Sequence, residues 1–231
     1  MTDPLKKYEY YRNENGVLYC GDCLEIMPHI PKVDLVLTDP PYGISWQSNW
    51  RADTFDVLHN DNGFYPDWIK KTHTKILYMF TRWDVLQKWI EAVESFSVLK
   101  IKNVLVWDKL SHGAGDLNSW APTYEMIIYA TEKPIKLKGK RPQNILKFWR
   151  VDAGATGKSS GKMLKHPTQK PDSLFVEIIK HHDKGTTLDP FIGSGTTAVA
   201  CQNLKRNFIG IEISETYCAI ARKRLKQKPL L

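Results

Sequence analysis

Little in this sequence points toward a membrane, a disulfide scaffold or a metal centre. No apolar run among its 231 residues approaches the roughly 18–20 needed to span a bilayer. The opening Met1-Thr2-Asp3-Pro4-Leu5-Lys6-Lys7 has no apolar stretch behind it, so it does not read as a secretory signal. A cytoplasmic setting with no membrane partner is the expectation. Four cysteines are too few for a disulfide framework. Cys20 and Cys23 make one C-x-x-C, yet a structural zinc needs a second close pair, and Cys201 and Cys218 lie too far apart to supply one locally. Reduced thiols and no metal are expected. Repeats and low-complexity tracts are missing too. Between Lys133 and Lys165 acid is almost absent: ten Lys or Arg residues face one acid, Asp152.

What is present is a basic chain of ordinary globular make-up, with 42% hydrophobic and 25% charged residues and a net charge of +8. Such a surface attracts polyanions and speeds encounter with nucleic acid. Phe148 and Trp149 sit inside the basic stretch, which favours a phosphate-contacting segment over a merely solvated loop.

Short apolar runs at 33–38, 75–80, 104–107, 124–130, 186–191 and 207–213 read as strands covered on both faces, hence parallel. Residues 84–96 place Val85, Leu86, Trp89, Ile90, Val93 and Phe96 on one helical stripe, and 171–182 do the same with Leu174, Phe175, Ile178 and Ile179. Ser214 is placed to cap a last helix carrying Tyr217, Ile220, Ala221 and Leu225. Alternating strands and helices predict a single α/β domain over 1–231, with a mostly parallel, doubly wound sheet and helices on both faces. Segments 47–66 and 133–165 break the rhythm and read as mobile segments beside a ligand.

Two motifs carry chemistry. Leu188-Asp189-Pro190-Phe191-Ile192-Gly193-Ser194-Gly195-Thr196-Thr197-Ala198 follows a strand and opens a helix, where glycines let a ligand approach the backbone and free N–H groups attract an anionic group. Glu212 ends the next strand, where an acid can accept from two ribose hydroxyls. Gly193-x-Gly195-x-x-Ala198 also satisfies a dinucleotide fingerprint, so the turn by itself leaves a nicotinamide enzyme open. The second motif, Asp39-Pro40-Pro41-Tyr42, follows a strand whose carboxyl end borders the ligand crevice of such a sheet. The prolines fix φ and hold a carbonyl in a set direction. The Asp39 carboxylate and the Pro40 carbonyl can each accept one N–H of a planar amine while Tyr42 stacks on its ring. Two acceptors aimed at that amine stabilise positive charge as it develops, which suits methylation of a nucleobase nitrogen without a metal.

With its Asp-Pro-Pro-Tyr motif ahead of its Phe-x-Gly-x-Gly motif, the chain resembles the DNA amino-methyltransferases in the permuted β-group order, over nearly its whole length. The resemblance implies a Rossmann-like class I methyltransferase fold, S-adenosylmethionine as cofactor, double-stranded DNA as substrate and a homodimer as the assembly. It implies Asp39, Pro40, Pro41 and Tyr42 as the catalytic motif. Phe191, Gly193 and Gly195 match the cofactor turn, which Asp189, Ser194 and Thr196 flank and Asp39 borders, and Glu212 matches the ribose-binding acid. Tyr19-Cys20-Gly21-Asp22-Cys23-Leu24 implies cofactor contacts from Asp22 and Cys23. His166-Pro167-Thr168-Gln169-Lys170-Pro171 implies His166 and Lys170 near the methionine moiety. An aspartate opening the tetrapeptide usually accompanies adenine N6 methylation in that family, where serine more often marks cytosine N4. The presumed target-recognition segment, 134–165, is short, so the loop 47–66 is expected to share in reading bases. Trp46, Trp50, Arg141, Lys147 and Arg150 are the candidate DNA contacts. Cytosine N4, RNA adenine, a protein glutamine amide and a non-catalytic DNA-binding module remain the competing readings.

Overall fold

The computed structural model describes residues 3–42, 63–111, 118–151 and 169–227. Trp46, Trp50, His166 and much of the two irregular segments, 47–62 and 152–165, lie outside them. In chain order the elements are β1 (Glu9–Asn13), β2 (Gly16–Cys20), α1 (Cys23–Ile26), β3 (Leu35–Thr38), α2 (Asp67–Lys70), β4 (Ile76–Thr81), α3 (Leu86–Phe96), β5 (Lys100–Asp108), β6 (Tyr124–Thr131), β7 (Ile145–Lys147), α4 (Asp172–Lys180), β8 (Thr186–Asp189), α5 (Thr196–Asn203), β9 (Asn207–Glu212) and α6 (Glu215–Leu225). The strands form one sheet in the order β1-β2-β9-β8-β3-β4-β6-β5-β7.

Alternation of side chains along each strand sorts the core into two layers. Leu35, Leu37, Ile76, Tyr78 and Phe80 face α4, α5 and α6 through Leu174, Phe175, Ile178, Ala198, Cys201 and Ala221. Val36, Leu77 and Met79 face the other way, onto Trp68 of α2 and Trp89 and Val93 of α3. Every residue of β3 and β4 is buried, because both faces are covered. α4 buries the four residues of its expected stripe. Ser214 stands at the start of α6, but its side chain caps nothing; its N–H instead donates to Glu212 Oε1 at 2.8 Å. Cys218, Ala221 and Leu225 are the buried residues of that helix, with Tyr217 and Ile220 on its flanks.

β2, β9, β8, β3 and β4 all run parallel. β6 does not: it pairs antiparallel with both β4 and β5, which corrects the all-parallel reading of the apolar runs. The reversal has a consequence for function. The start of β6 lies at the same sheet edge as the ends of its neighbours, so Tyr124 stands opposite Asp108. Three strands escape the apolar-run reading. β1 and β2 form a hairpin whose turn is fixed by Asn13, its Oδ1 accepting from the N–H groups of Asn15 and Gly16. β7 is an edge strand with Leu146 buried, so this part of 133–165 is folded against the sheet rather than loose.

That topology also divides the basic stretch. Residues after β6 emerge at the edge where the parallel strands begin: Glu132 N–H donates to Lys75 O, and Lys138 pairs with Asp183 at 2.6 Å beside the end of α4. β7 then carries the chain back, setting Lys147 level with Asp108 at the opposite edge. Lys147 and Arg150 thus lie at the carboxyl edge, whereas Arg141 precedes β7 and Lys133–140 face away. Among the described residues, the basic stretch therefore divides between the two edges of the sheet.

Among the described residues no helix is long and apolar enough to cross a membrane.

Candidate active site

Asp39 leaves the end of β3, and Thr38, buried beside it, aligns with Met79 of β4. One oxygen of the Asp39 carboxylate accepts the Tyr42 hydroxyl at 2.5 Å; the other accepts from Lys170 Nζ. Pro40 is buried and Pro41 half-buried, and together they close the short turn that brings Tyr42 back onto Asp39. Lys170 also lies 3.1 Å from Glu125 Oε2, and Glu125 Oε1 lies 2.8 Å from Lys109 Nζ. Four charges therefore alternate in sign along Lys109, Glu125, Lys170 and Asp39. Burial works to lower the pKa of Lys170, but the carboxylates of Asp39 and Glu125 overcome it and raise the value above its ordinary one. Burial would likewise raise Glu125, and Lys170 and Lys109 reverse that to leave it lowered. Burial, with Asp39 second, pushes the Tyr42 phenol well up, so it stays a donor. Lys170 thus sits on the Asp39-Pro40-Pro41-Tyr42 tetrapeptide itself, and Glu125 and Lys109 are members of this charged group that motif reading passes over. Their one sequence signal is a carboxylate within the otherwise apolar Tyr124–Thr131 strand.

The glycine turn adjoins this group. Gly193 and Gly195 have φ of +53° and +90°, the left-handed region that glycine tolerates. Gly195 occupies the cap position of α5, where no side chain satisfies the helix start. Glu212 Oε2 accepts the Gly193 N–H at 2.9 Å, tying the turn to the end of β9. Gly21 N–H donates to Glu212 O, which brings Asp22 to the same corner. Asp22 caps α1, accepting from Leu24 N–H at 2.8 Å. Cys23 behind it is largely buried, and burial pushes its thiol up to about 12, so it remains protonated. Phe191 packs edge-on against Trp68 at 5.6 Å. Ser194 and Thr196 are buried and held by Arg224, whose Nη1 donates to Ser194 O at 2.8 Å.

Asp189, at the end of β8, is held from inside the fold. The residue is 3% exposed and its carboxylate serves the fold. Oδ1 accepts from Thr38 Oγ1 at 2.7 Å and Phe191 N–H at 3.1 Å, and Oδ2 from Thr197 Oγ1 at 2.5 Å. This clamps β8 to β3 and to the start of α5. Burial pushes its pKa up to about 7 against the hydrogen bonds that lower it. Between the unfolded value near 4 and about 7 the folded chain holds the proton more tightly than the unfolded one, so this group costs stability as pH rises through that window. Asp189→Asn keeps the hydrogen-bonded shape and removes the charge. Its stability relative to the parent, measured by urea unfolding, is expected to rise by about 4 kcal/mol from pH 4 to pH 8. A difference that stays flat across that range would mean Asp189 is ionised in the fold throughout.

The same carboxyl edge collects exposed aromatic side chains. Trp83 follows β4, Trp120 and Tyr124 lead into β6, and Trp149 follows β7, with exposures of 70%, 97%, 43% and 66%. Trp83 and Trp120 carry no motif and went unmarked in the sequence; only the topology brings them to the same edge as Trp149, Lys147 and Arg150.

The DNA methylase family profile matches residues 33–223. The Type II methyltransferase M2.LlaDCHI of Lactococcus lactis subsp. cremoris is 30% identical over 261 residues, which cover 98% of this chain and 93% of the relative. Among solved structures, the M1.HpyAVI–SAM complex is 26% identical with a TM-score of 0.66, covering 90% of this chain and 98% of that one. The PvuII DNA methyltransferase, described as cytosine-N4-specific, is 18% identical with a TM-score of 0.74 over 98% of this chain and 92% of its own. At that identity its likeness speaks to the α/β Rossmann-like fold.

Proposed function

Because the chain belongs to the DNA methylase family, we propose that it transfers a methyl group from S-adenosylmethionine to the exocyclic N6 of adenine in DNA. The observation that carries this reading is the meeting of Asp39-Pro40-Pro41-Tyr42 and the Gly193–Glu212 corner at one sheet edge, where open α/β sheets bind their ligands. The residues suit the cofactor. A Cβ at Gly193 would meet nothing within 4 Å, so the turn leaves its backbone open to a ligand, and Glu212 stands beside it as the ribose acceptor. When bound, the cofactor supplies an electrophilic methyl on a sulfonium.

The protein's share is positioning and charge. The N6 lone pair is delocalised into the ring, and Asp39 and the Pro40 carbonyl, accepting its two N–H bonds, localise it and stabilise the charge that develops on nitrogen. Tyr42 stacks on the base. Its hydroxyl is held by Asp39, so the ring and the carboxylate are set as one unit. Holding the amine in line with the methyl removes much of the entropic barrier. The base has to leave the duplex, at a few kcal/mol of unstacking. The exposed aromatics and Lys147 and Arg150 along the same edge supply the stacking faces and phosphate contacts such a substrate needs. A nicotinamide oxidoreductase would leave that edge and the tetrapeptide idle. Adenine is preferred over cytosine because the tetrapeptide opens with aspartate.

Incubation with labelled S-adenosylmethionine and unmethylated genomic DNA, followed by mass spectrometry of the nucleosides, is expected to yield N6-methyl-deoxyadenosine. N4-methyl-deoxycytidine would correct the base and keep the mechanism. Cofactor binding without transfer to DNA would overturn the substrate and direct the search to RNA or protein.

A further inference from the structure

The charges behind Asp39 suggest more than a brace. An amine that donates to Asp39 and then turns positive meets a carboxylate already holding the Lys170 ammonium. Two cations competing for one carboxylate weaken the stabilisation on which the reaction depends. Lys170 has a second seat. Glu125 Oε2 is buried and 3.1 Å from Nζ, within ion-pair range, yet it accepts no aligned hydrogen bond. Its other oxygen is fixed by Lys109 at 2.8 Å, and Lys109 in turn lies over the Trp107 ring at 5.6 Å. Lys170 Nζ lies 5.3 Å from the centroid of the Phe80 ring, a face that favours an ammonium next to both carboxylates. A buried carboxylate with an acceptor position to spare, anchored from behind and aimed at the cation on the catalytic aspartate, fits a relay better than a strut.

We propose that Glu125, anchored by Lys109, is a positioning residue that draws Lys170 off Asp39 when the target amine engages that carboxylate. The proposal rests on the reading of Asp39 as the amine acceptor. It makes Lys170 harmful to the reaction when Glu125 cannot take it, which a purely structural salt bridge would not.

The test is a double-mutant cycle of Glu125→Gln and Lys170→Gln, read as kcat and KM on unmethylated genomic DNA, with S-adenosylmethionine affinity by calorimetry. Glu125→Gln is expected to lower kcat about thirtyfold with cofactor affinity held within about twofold. Adding Lys170→Gln is expected to raise kcat at least about fivefold above the Glu125→Gln protein, since the ammonium confined to Asp39 is then gone. Full activity in Glu125→Gln, or no recovery in the double variant, overturns the proposal. If Glu125→Gln does not fold, Glu125→Asp carries the comparison: it keeps the charge, shortens the reach, and is expected to lose kcat and regain it with Lys170→Gln, absence of the gain again being fatal. An inactive Asp39→Ala beside an unrelieved Glu125→Gln removes the relay alone; an active Asp39→Ala removes the reading beneath it.

Discussion

Replacing Asp39 with alanine is expected to cut methyl transfer about a thousandfold, a loss of roughly 4 kcal/mol in transition-state stabilisation. Two effects add. The target amine loses its one charged acceptor, and groups of that kind are worth about 10²–10³ in rate. Lys170 also loses its nearest counter-ion, so the cation beside the amine is balanced by Glu125 alone. The fold should survive, because Glu125 still pairs with Lys170 and the tetrapeptide's prolines keep their φ. Cofactor affinity should change little, since the Gly193–Glu212 contact is independent of Asp39. Asp39→Asn keeps one acceptor oxygen and the shape but not the charge, so it should fall between the two. Single-turnover transfer from labelled cofactor, with a thermal melt of each variant as the folding control, reads the effect. Activity within tenfold of the parent in a folded Asp39→Ala protein would remove Asp39 from the chemistry.

The parts of this site that could be read in the sequence are those whose chemistry is local. Asp39-Pro40-Pro41-Tyr42 and the Gly193–Gly195 turn declare themselves because backbone restriction and its release need particular residues at particular places. The strands of the sheet centre were legible because burial on both faces leaves continuous apolar runs. Such runs say nothing of direction, so the reversal of β6 was invisible, and with it the arrival of Glu125 beside Lys170, 45 residues on. Pairing over that distance leaves no periodic trace. Strand β1 was missed for the opposite reason: Tyr10 and Tyr11 are half-buried beside an exposed Arg12, and the buried run of β2, Val17–Tyr19, is only three residues long. Charge was legible in amount but not in placement. Lys133–Lys140 and Lys147–Arg150 look like one patch along the chain, and an edge strand between them sends them to opposite ends of the sheet.

The two glycines of the proposed cofactor turn should separate stability from binding. Gly195→Ala is expected to destabilise the protein by about 3 kcal/mol: roughly 1–2 from a Cβ at left-handed φ and the rest from overpacking. The added methyl would stand 2.9 Å from Ala221 Cβ and 3.2 Å from its Cα, and backbone of α6 cannot yield as a flexible side chain would. Gly193→Ala has the same strain, at φ +53°, but nothing within 4 Å to strike, so a loss of about 1–2 kcal/mol is expected. Its methyl instead enters the space where the backbone is open to the cofactor. Affinity for S-adenosylmethionine should therefore fall about tenfold or more in Gly193→Ala, while the folded fraction of Gly195→Ala keeps most of its binding at a far lower urea midpoint. Urea unfolding and calorimetry on both proteins give the four numbers. Parent-like cofactor affinity in Gly193→Ala would mean that the ligand does not approach this backbone, and the turn would then be a packing device between α5 and α6 alone.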